Sequence, residues 1–309
     1  MTRIAWSIDE AREFGPSAVA IGVFDGVHAG HQELLRRTIA TARELGVKSA
    51  VLTFHPHPAC VVAPQRAPKL LYSPQERCQL LSEQGIDEVL VLPFNQAVAS
   101  MPPEEFASGL LRSVFDARAI LVGENFRFGC ARAGDITTLA ELGFTTRPLQ
   151  AVERRGLIVS SSEIRKRVES GEVSLAGRLL GRFYTIGGEI VSGHGIGSKQ
   201  TVPTLNLRTT AEIVPARGVY ITRTTDPDTG RQWQSITNIG VRPTFENAGG
   251  ASIETFLLSP FSGDTPKQIR LEFLHRVRDE RKFESPEALK SQILKDVRTA
   301  QTYFRRLNW

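Results

Sequence analysis

Two histidines, His28 and His31, stand in the string Gly22-Val23-Phe24-Asp25-Gly26-Val27-His28-Ala29-Gly30-His31. The apolar run 18–24 reads as a buried strand. The segment 32–45 reads as an amphipathic helix, with Leu34, Leu35, Ile39, Ala42 and Leu45 on one stripe and Glu33, Arg36, Arg37 and Arg43 off it. The histidines thus fall at a strand-to-helix turn, where unpaired backbone N–H groups favour an anion. Gly26 and Gly30 remove side chains that would hold a bulky ligand off that backbone. Both imidazoles point the same way and can donate to phosphate oxygens. The chemistry is a phosphate site with two extra donors and no P-loop lysine. The alternative is a turn whose glycines serve only the backbone and whose histidines are solvated or packed.

Three more clusters lie in the first half. Thr53-Phe54-His55-Pro56-His57-Pro58 follows a second apolar run, and its two X-Pro steps extend the backbone past a strand end, where open α/β sheets bind ligands. A rigid loop with exposed imidazoles is the competing reading. Gly123-Glu124-Asn125-Phe126-Arg127-Phe128-Gly129 places two aromatics, an amide and a guanidinium after another strand end. Aromatic faces hold flat rings, and Arg pairs with phosphate. The phenylalanines serve equally as core plugs. Ser160-Ser161-Ser162-Glu163-Ile164-Arg165 opens a helix with Ser161 or Ser162 at its cap and Arg165 on its first turn, a second helix start able to hold phosphate or simply a capped helix.

In the second half, Gly193-His194-Gly195-Ile196-Gly197 offers bare backbone for phosphates, or a hairpin. Pro203-Thr204-Leu205-Asn206 follows, with two oxygen-bearing side chains at alternate positions, which share a face on a strand and suit Mg²⁺ beside ATP. Glu254 lies among apolar residues in Ser252-Ile253-Glu254-Thr255-Phe256 and reads as a general base or as an outward-facing strand carboxylate.

These residues need elements to hold them. Strands at 47–54, 86–92, 117–122, 144–152 and 157–159 alternate with helices at 74–84, 102–115, 135–142, from 161 and at 173–180, which specifies a doubly wound parallel sheet. Ser73-Pro74-Gln75-Glu76 is a capping box. At Gly181 helical periodicity gives way to six strand-like runs, 183–191, 201–207, 218–224, 232–239, 251–258 and 268–276, which specify a small antiparallel barrel. Ser285-Pro286-Glu287 caps a final helix with Leu289, Ile293, Val297, Ala300 and Phe304 facing the barrel. The expectation is two domains, 1–180 and 181–309.

The bulk numbers fit. A chain of 309 residues with 41% hydrophobic and 23% charged residues is an ordinary two-domain globular protein. No apolar run approaches the roughly 18 residues that cross a bilayer, and 1–6 lacks a signal-peptide core. Three separated cysteines make neither a metal pattern nor a disulfide framework, as expected in the cytoplasm. The net charge of +5 comes from dispersed Arg and Lys, which favours small anionic ligands over nucleic acid and involves no membrane.

The H-x-G-H string resembles the nucleotidyltransferase superfamily, and 22–32 as a whole is similar to the adenylyltransferase module of bacterial bifunctional riboflavin kinase/FAD synthetases. T-F-x-P-H-P, the 123–129 loop and the Ser160–Arg165 string resemble that module's site. Gly-x-Gly, Pro-Thr-x-Asn, Asn238-Ile239-Gly240-Val241-Arg242-Pro243-Thr244-Phe245, the strand Glu and Arg278-Asp279-Glu280-Arg281-Lys282-Phe283 resemble the riboflavin kinase module. Ser198-Lys199-Gln200-Thr201-Val202 departs from it, standing where a basic residue and Leu-Gly-Phe are commoner. The resemblance implies phosphorylation of riboflavin to FMN, then adenylylation of FMN to FAD with release of pyrophosphate. ATP is co-substrate with Mg²⁺, and no bound redox cofactor is needed. It implies His28, His31 and Glu254 as catalytic. Gly22, Phe24, Asp25, Gly30, His57, Asn125, Arg127, Ser161, Ser162 and Arg165 would bind ATP or flavin in the first module. Gly193, Gly195, Gly197, Pro203, Thr204, Asn206 and Arg278 would do so in the second, with Thr204 and Asn206 on the metal. The alternatives are a nucleotidyltransferase of another acceptor with a substrate-binding barrel, and a nucleic-acid-binding protein related to tRNA synthetases. The sequence does not fix oligomeric state.

Overall fold

A computed structural model describes residues 1–12, 14–191, 204–241, 251–259, 265–307 and 309. Two compact units make up the chain, Met1–Ser161 and Ser162–Trp309.

In the first unit six strands form one sheet: β1 (Arg3–Ala5), β2 (Ser17–Ile21), β3 (Lys48–His55), β4 (Glu88–Pro93), β5 (Ala117–Gly123) and β6 (Thr146–Leu149). Their order is β1-β4-β3-β2-β5-β6, and every pairing is parallel. Sequence reading missed β1, which is too short to show a period. A parallel sheet is covered on both faces, so its strands read as unbroken apolar runs. Val19, Ile21, Leu52 and Ile120 face one cluster, and Ala18, Ala20, Val51 and Leu121 face the other. Helix α1 (Ala29–Leu45) covers the second face through Leu34, Leu35 and Ala42. A single exposed turn, α2 (Pro58–Val62), follows β3. α3 (Pro74–Glu83) adds Cys78 and Leu81 to the second face and starts with the expected Ser73–Glu76 capping box.

The opposite face is covered by α5 (Pro103–Phe106), which follows the short α4 (Gln96–Ala99), by a π-helical run at Ala107–Arg112, and by α6 (Ile136–Glu141). The single helix expected over 102–115 is therefore not regular. Ser113 N–H donates to the Ser108 carbonyl and Phe115 N–H to the Leu110 carbonyl, one residue beyond the α-helical spacing. Gly109, a weak helix former, lies inside that run. A small antiparallel hairpin, β7 (Glu153–Arg154) and β8 (Leu157–Ile158), precedes α7 (Ser161–Glu169).

The second unit holds the rest of α7, then α8 (Val173–Leu180) and a closed barrel. The barrel strands are β9 (Tyr184–Val191), β10 (Thr204–Arg208), β11 (Gly218–Thr225), β12 (Gln232–Val241), β13 (Ala251–Leu257) and β14 (Gln268–Arg278). Their order is β10-β13-β12-β11-β14-β9, closing antiparallel on β10. Its interior carries a chain of buried hydroxyls, Thr224–Ser235–Thr222–Thr237–Thr255, bonded at 2.7–3.0 Å. α8 packs on β14 and β9. The last helix, α9 (Pro286–Arg306), is capped by Ser285 as expected. Its packing differs from expectation. Ala300 and Phe304 are fully buried, whereas Leu289 and Ile293 are each 42% exposed, because the helix runs on beyond the apolar surface that takes its C-terminal half.

Candidate active sites

β2 and β5 are neighbours, and β2 leads to β3 on one side while β5 leads to β6 on the other, so connections leave their carboxyl ends in opposite directions. That is the switch point at which open α/β sheets bind ligands. A cavity of about 250 Å³ opens there, lined among others by Gly22, His28, His31, Asn125, Gln150 and Val152.

α1 starts at Ala29, three residues earlier than its apolar stripe suggests, so His28 is its N-cap and His31 lies in its first turn. The His28 Nδ1 accepts the His31 backbone N–H at 3.3 Å. That bond assigns the His28 proton to Nε2, which is left as its donor. The two rings stack, with centroids 3.6 Å apart and planes at 13°. Phe24 lies 5.0 Å from the His31 ring and is itself wholly buried. Gly30 has a reason the sequence did not reveal: a Cβ there would sit 3.3 Å from the His28 ring. It makes room for the histidine as well as for a ligand.

The loop between β2 and α1 is strained. Phe24 (φ 53°) and Val27 (φ 37°) adopt left-handed backbone, with Gly26 (φ 83°) between them. Such conformations persist when surrounding bonds over-determine them. Here the Val23 carbonyl accepts Thr53 Oγ1 at 2.9 Å and Arg77 Nη1 at 2.8 Å. The buried Asp25 carboxylate accepts the Leu71 N–H at 3.0 Å. The Asp25 carbonyl accepts Ser161 Oγ at 2.8 Å, and Gln32 Nε2 donates to the Val27 carbonyl at 2.9 Å. Phe24, Asp25 and the Ser161 hydroxyl, all expected at ligand, thus also build the loop that carries the histidines.

The remaining predicted residues of the first half divide. Asn125 is exposed at the cavity. His57 caps α2, its Nδ1 accepting the Ala59 N–H at 3.1 Å. Arg127 pairs with Asp135 at 2.7 Å. The Thr138 backbone N–H, with the Arg127 charge adding, keeps that carboxyl below the usual carboxylate range. Phe128 plugs the core against Phe106, with Phe126 stacked on it. α7 begins at Ser161, so neither Ser161 nor Ser162 occupies the position before it. In the second unit, Arg165 Nη1 donates to Ser162 Oγ at 3.4 Å.

On the barrel, Ile253, Thr255 and Leu257 face inward, so Glu254 faces out. Strand register sets Asn206 directly across from it on β10 and Asn238 across on β12. Opposed residues of antiparallel strands share a face, so an amide, a carboxylate and an amide stand in a row. Thr204 shares that face two residues along, and Ser252 Oγ donates to Glu254 Oε1 at 3.0 Å. Sequence reading quoted Asn238 only within a motif, and the pairing gives it a place in the site. Thr204, Asn206 and Glu254 offer hard oxygen donors that fit a cation arriving with ATP phosphates. Among the described residues no group of three His, Cys, Asp or Glu could hold a metal unaided. Arg278, expected at ligand, is engaged by the buried Asp296 of α9 through Nε (3.0 Å) and Nη2 (2.9 Å). Gly193, Gly195, Gly197, Pro203 and the 198–202 segment lie outside the described residues.

Comparisons with known proteins divide the chain in the same order as these two sites. The family described as FAD synthetase matches residues 10–163, and the riboflavin kinase family matches 180–304. A bifunctional riboflavin kinase/FMN adenylyltransferase from Pseudomonas fluorescens is 39% identical over 286 residues, covering 91% of this chain and 91% of its own. The protein so described from Escherichia coli (strain K12) is 31% identical over 290 residues, covering 93% and 92%. A solved structure described as a macrolide-efflux protein from Streptococcus pneumoniae has the same fold, with a TM-score of 0.86 at 26% identity over 94% of this chain and 96% of that one. No helix among the described residues of this chain is long and apolar enough to cross a membrane.

Proposed function

The chain belongs to the bifunctional riboflavin kinase/FMN adenylyltransferase family, and from that premise we propose that its two reactions are carried by the histidine crevice and by the outer face of the barrel. It phosphorylates riboflavin to FMN and joins FMN to AMP from ATP. Its substrates are riboflavin, FMN and ATP, the last brought with a divalent metal, and its place is the cytoplasm, where ATP is made available. The kinase region corresponds to 181–309 and the adenylyltransferase region to 1–180.

On the barrel, Glu254 takes the proton from the primary hydroxyl of riboflavin's ribityl chain as that oxygen attacks the γ-phosphorus of ATP. The bond from the γ-phosphorus to the bridging oxygen breaks and ADP leaves. Thr204, Asn206 and Asn238 would hold the ATP phosphates and the metal that comes with them, which neutralises their charge. Phosphoryl transfer of this kind depends on positioning and charge neutralisation.

In the crevice, a phosphate oxygen of FMN attacks the α-phosphorus of ATP and pyrophosphate leaves. The nucleophile is already ionised at neutral pH, so no protein base is required. The difficulty is bringing two anions together, and the His28 Nε2–H, the His31 ring and the N–H groups of Ala29 and Gly30 at the start of α1 meet it. Gly22 and Gly30 admit the phosphates, and Asn125 and His57 face the flavin or base. The observation that carries this reading is the stacked histidine pair, 3.6 Å between centroids, at a helix start over the switch point of the sheet. The test is a chromatographic time course with purified protein, riboflavin and MgATP. FMN first and FAD after it is the expected order. FMN without FAD would remove the crevice from flavin chemistry.

A further inference from the structure

Arg77 is only 3% exposed, sits on α3 outside every motif, and has no place in the chemistry above. Its guanidinium forks. Nη1 donates to the Val23 carbonyl at 2.8 Å and Nη2 to the Phe54 carbonyl at 2.9 Å. Val23 lies just beyond β2, and Phe54 is the penultimate residue of β3, so each carbonyl stands where a segment leaves the sheet. One runs through the strained turn to His28, and the other runs through His55 to His57. As a core filler the residue is a poor choice. Burial pushes its pKa down, opposed by the nearby Asp25 carboxylate, and its buried Nε–H finds no partner among the described residues. An apolar side chain would fill the same volume without stranding a donor. Lysine could not replace the fork either, since a single ammonium lacks its fixed planar spacing. What the fork holds therefore explains its presence better than what it fills.

We propose that Arg77 is a positioning residue for adenylyl transfer, clamping the histidine loop to the end of β3 and the His55–His57 segment so that the phosphate donors keep a fixed separation from the groups facing the flavin or base. The Val23 carbonyl directly precedes Phe24, the first left-handed residue of the turn, and it takes both Arg77 and Thr53. Releasing it lets the turn relax and moves His28 and His31 together. A displacement of about 1 Å at reacting groups can cost about a hundredfold in rate. Because the histidines act on charge that develops during transfer, the loss falls on kcat more than on KM.

The proposal rests on the reading of the crevice as the FMN adenylyltransferase site. The full-length chain is tested as Arg77→Lys, Arg77→Met, Thr53→Val and the Arg77→Lys/Thr53→Val double variant. Each preparation is assayed for both reactions, and its folded fraction is measured by circular dichroism. Arg77→Lys and Arg77→Met should lower kcat for FAD formation at least tenfold, with KM for ATP and FMN changed less than threefold and riboflavin kinase rate within twofold of wild type. Thr53→Val should lower kcat severalfold, and the double variant should lose less than the product of the single losses, because both donors share one acceptor. A folded Arg77→Lys with wild-type kcat overturns the proposal, as does a loss that only tracks the folded fraction. Should Arg77→Met fail to fold, Thr53→Val and the double variant still decide. If the wild type made no FAD from FMN and ATP, the reading of the crevice would fall first. If the wild type made FAD and only the Arg77 variants were unaffected, the clamp alone would fall.

Discussion

In the crevice the side chains proposed to work stand at a helix start reached through a strained loop, whereas on the barrel they stand in a strand register. His28 and His31 owe their placement to a turn with two strained non-glycine residues, tied down by Thr53, Arg77, Leu71 and Ser161 from four other segments. Asn206, Glu254 and Asn238 owe theirs to two antiparallel pairings whose backbone bonds the barrel needs in any case. The first arrangement permits a stacked imidazole pair that no regular element offers. It also exposes the site to changes far from the chemistry. The second tolerates changes around it, since backbone bonds hold the register and only removal of a side chain takes a group out of the row.

The sharpest break of this comparison is a crossover between two variants. Glu254→Gln removes the proposed base and should lower FMN formation by about 10²–10⁴, with FAD formation from added FMN unchanged. His31→Ala should do the reverse, lowering FAD formation by about 10²–10³, the usual effect of removing one preorganised donor. Chromatographic rates of both products settle the matter, and equal losses of both activities in a folded variant would end the assignment of separate sites.

A smaller pair of changes probes how each site is supported. Gly30→Ala puts a Cβ against the His28 ring, which is held between His31 and its own cap bond, so FAD formation should fall about tenfold from a shift of a few tenths of an ångström. Gly240→Ala on β12 meets chiefly the carboxylate end of the exposed Glu280, with Asn238 Nδ2 only at ordinary contact distance of 3.4 Å, so kinase rate should stay within about twofold. Steady-state kcat for each reaction compares them. A tenfold kinase loss from Gly240→Ala would show the barrel face to be as tightly set as the crevice.

The smallest effect concerns the body of α1. Glu33 is held at a pKa of about 2 by hydrogen bonds from Arg36, first, and Arg37. Its folded value is depressed below the usual 4.5, so its contribution is complete above about pH 4.5 and is lost as pH falls towards about 2. Glu33 is partly exposed and its two arginine partners lie at the surface, so Glu33→Gln should cost about 0.5 kcal/mol at neutral pH, as for other surface pairs. Denaturant melts should show the gap to wild type narrowing between pH 4.5 and 3. A gap independent of pH would assign the loss to something other than the ion pairs.

Much of the architecture could be read in the chain because it follows from short-range pattern. Unbroken apolar runs announced β2 to β5 as strands covered on both faces, the Ser73 and Ser285 caps marked helix starts, and alternation with turn clusters announced the barrel. The pattern failed where one element's fit depended on another. The stripe of α1 begins at Leu34, yet the helix starts at Ala29, because the His28 ring supplies the cap. The apolar period of α9 continues past the surface that could bury it, leaving Leu289 and Ile293 outside. The short edge strand β1 exists only because β4 is there to pair with it.

The sequence alone determined which chemistry was possible: paired imidazoles at a helix start, alternate hydroxyl and amide before a strand carboxylate, and two families' motifs in one order. Residue type and spacing carry that much, since donors, acceptors and face periodicity are local properties. Only the tertiary structure decided which of these groups face a ligand and which hold the others in place. Phe24, Asp25 and Ser161 build the loop, Arg278 is taken by Asp296, and Arg77 bridges the Val23 and Phe54 carbonyls. A buried polar group acts through whatever lies across from it, and that neighbour is chosen by packing between segments distant in the chain.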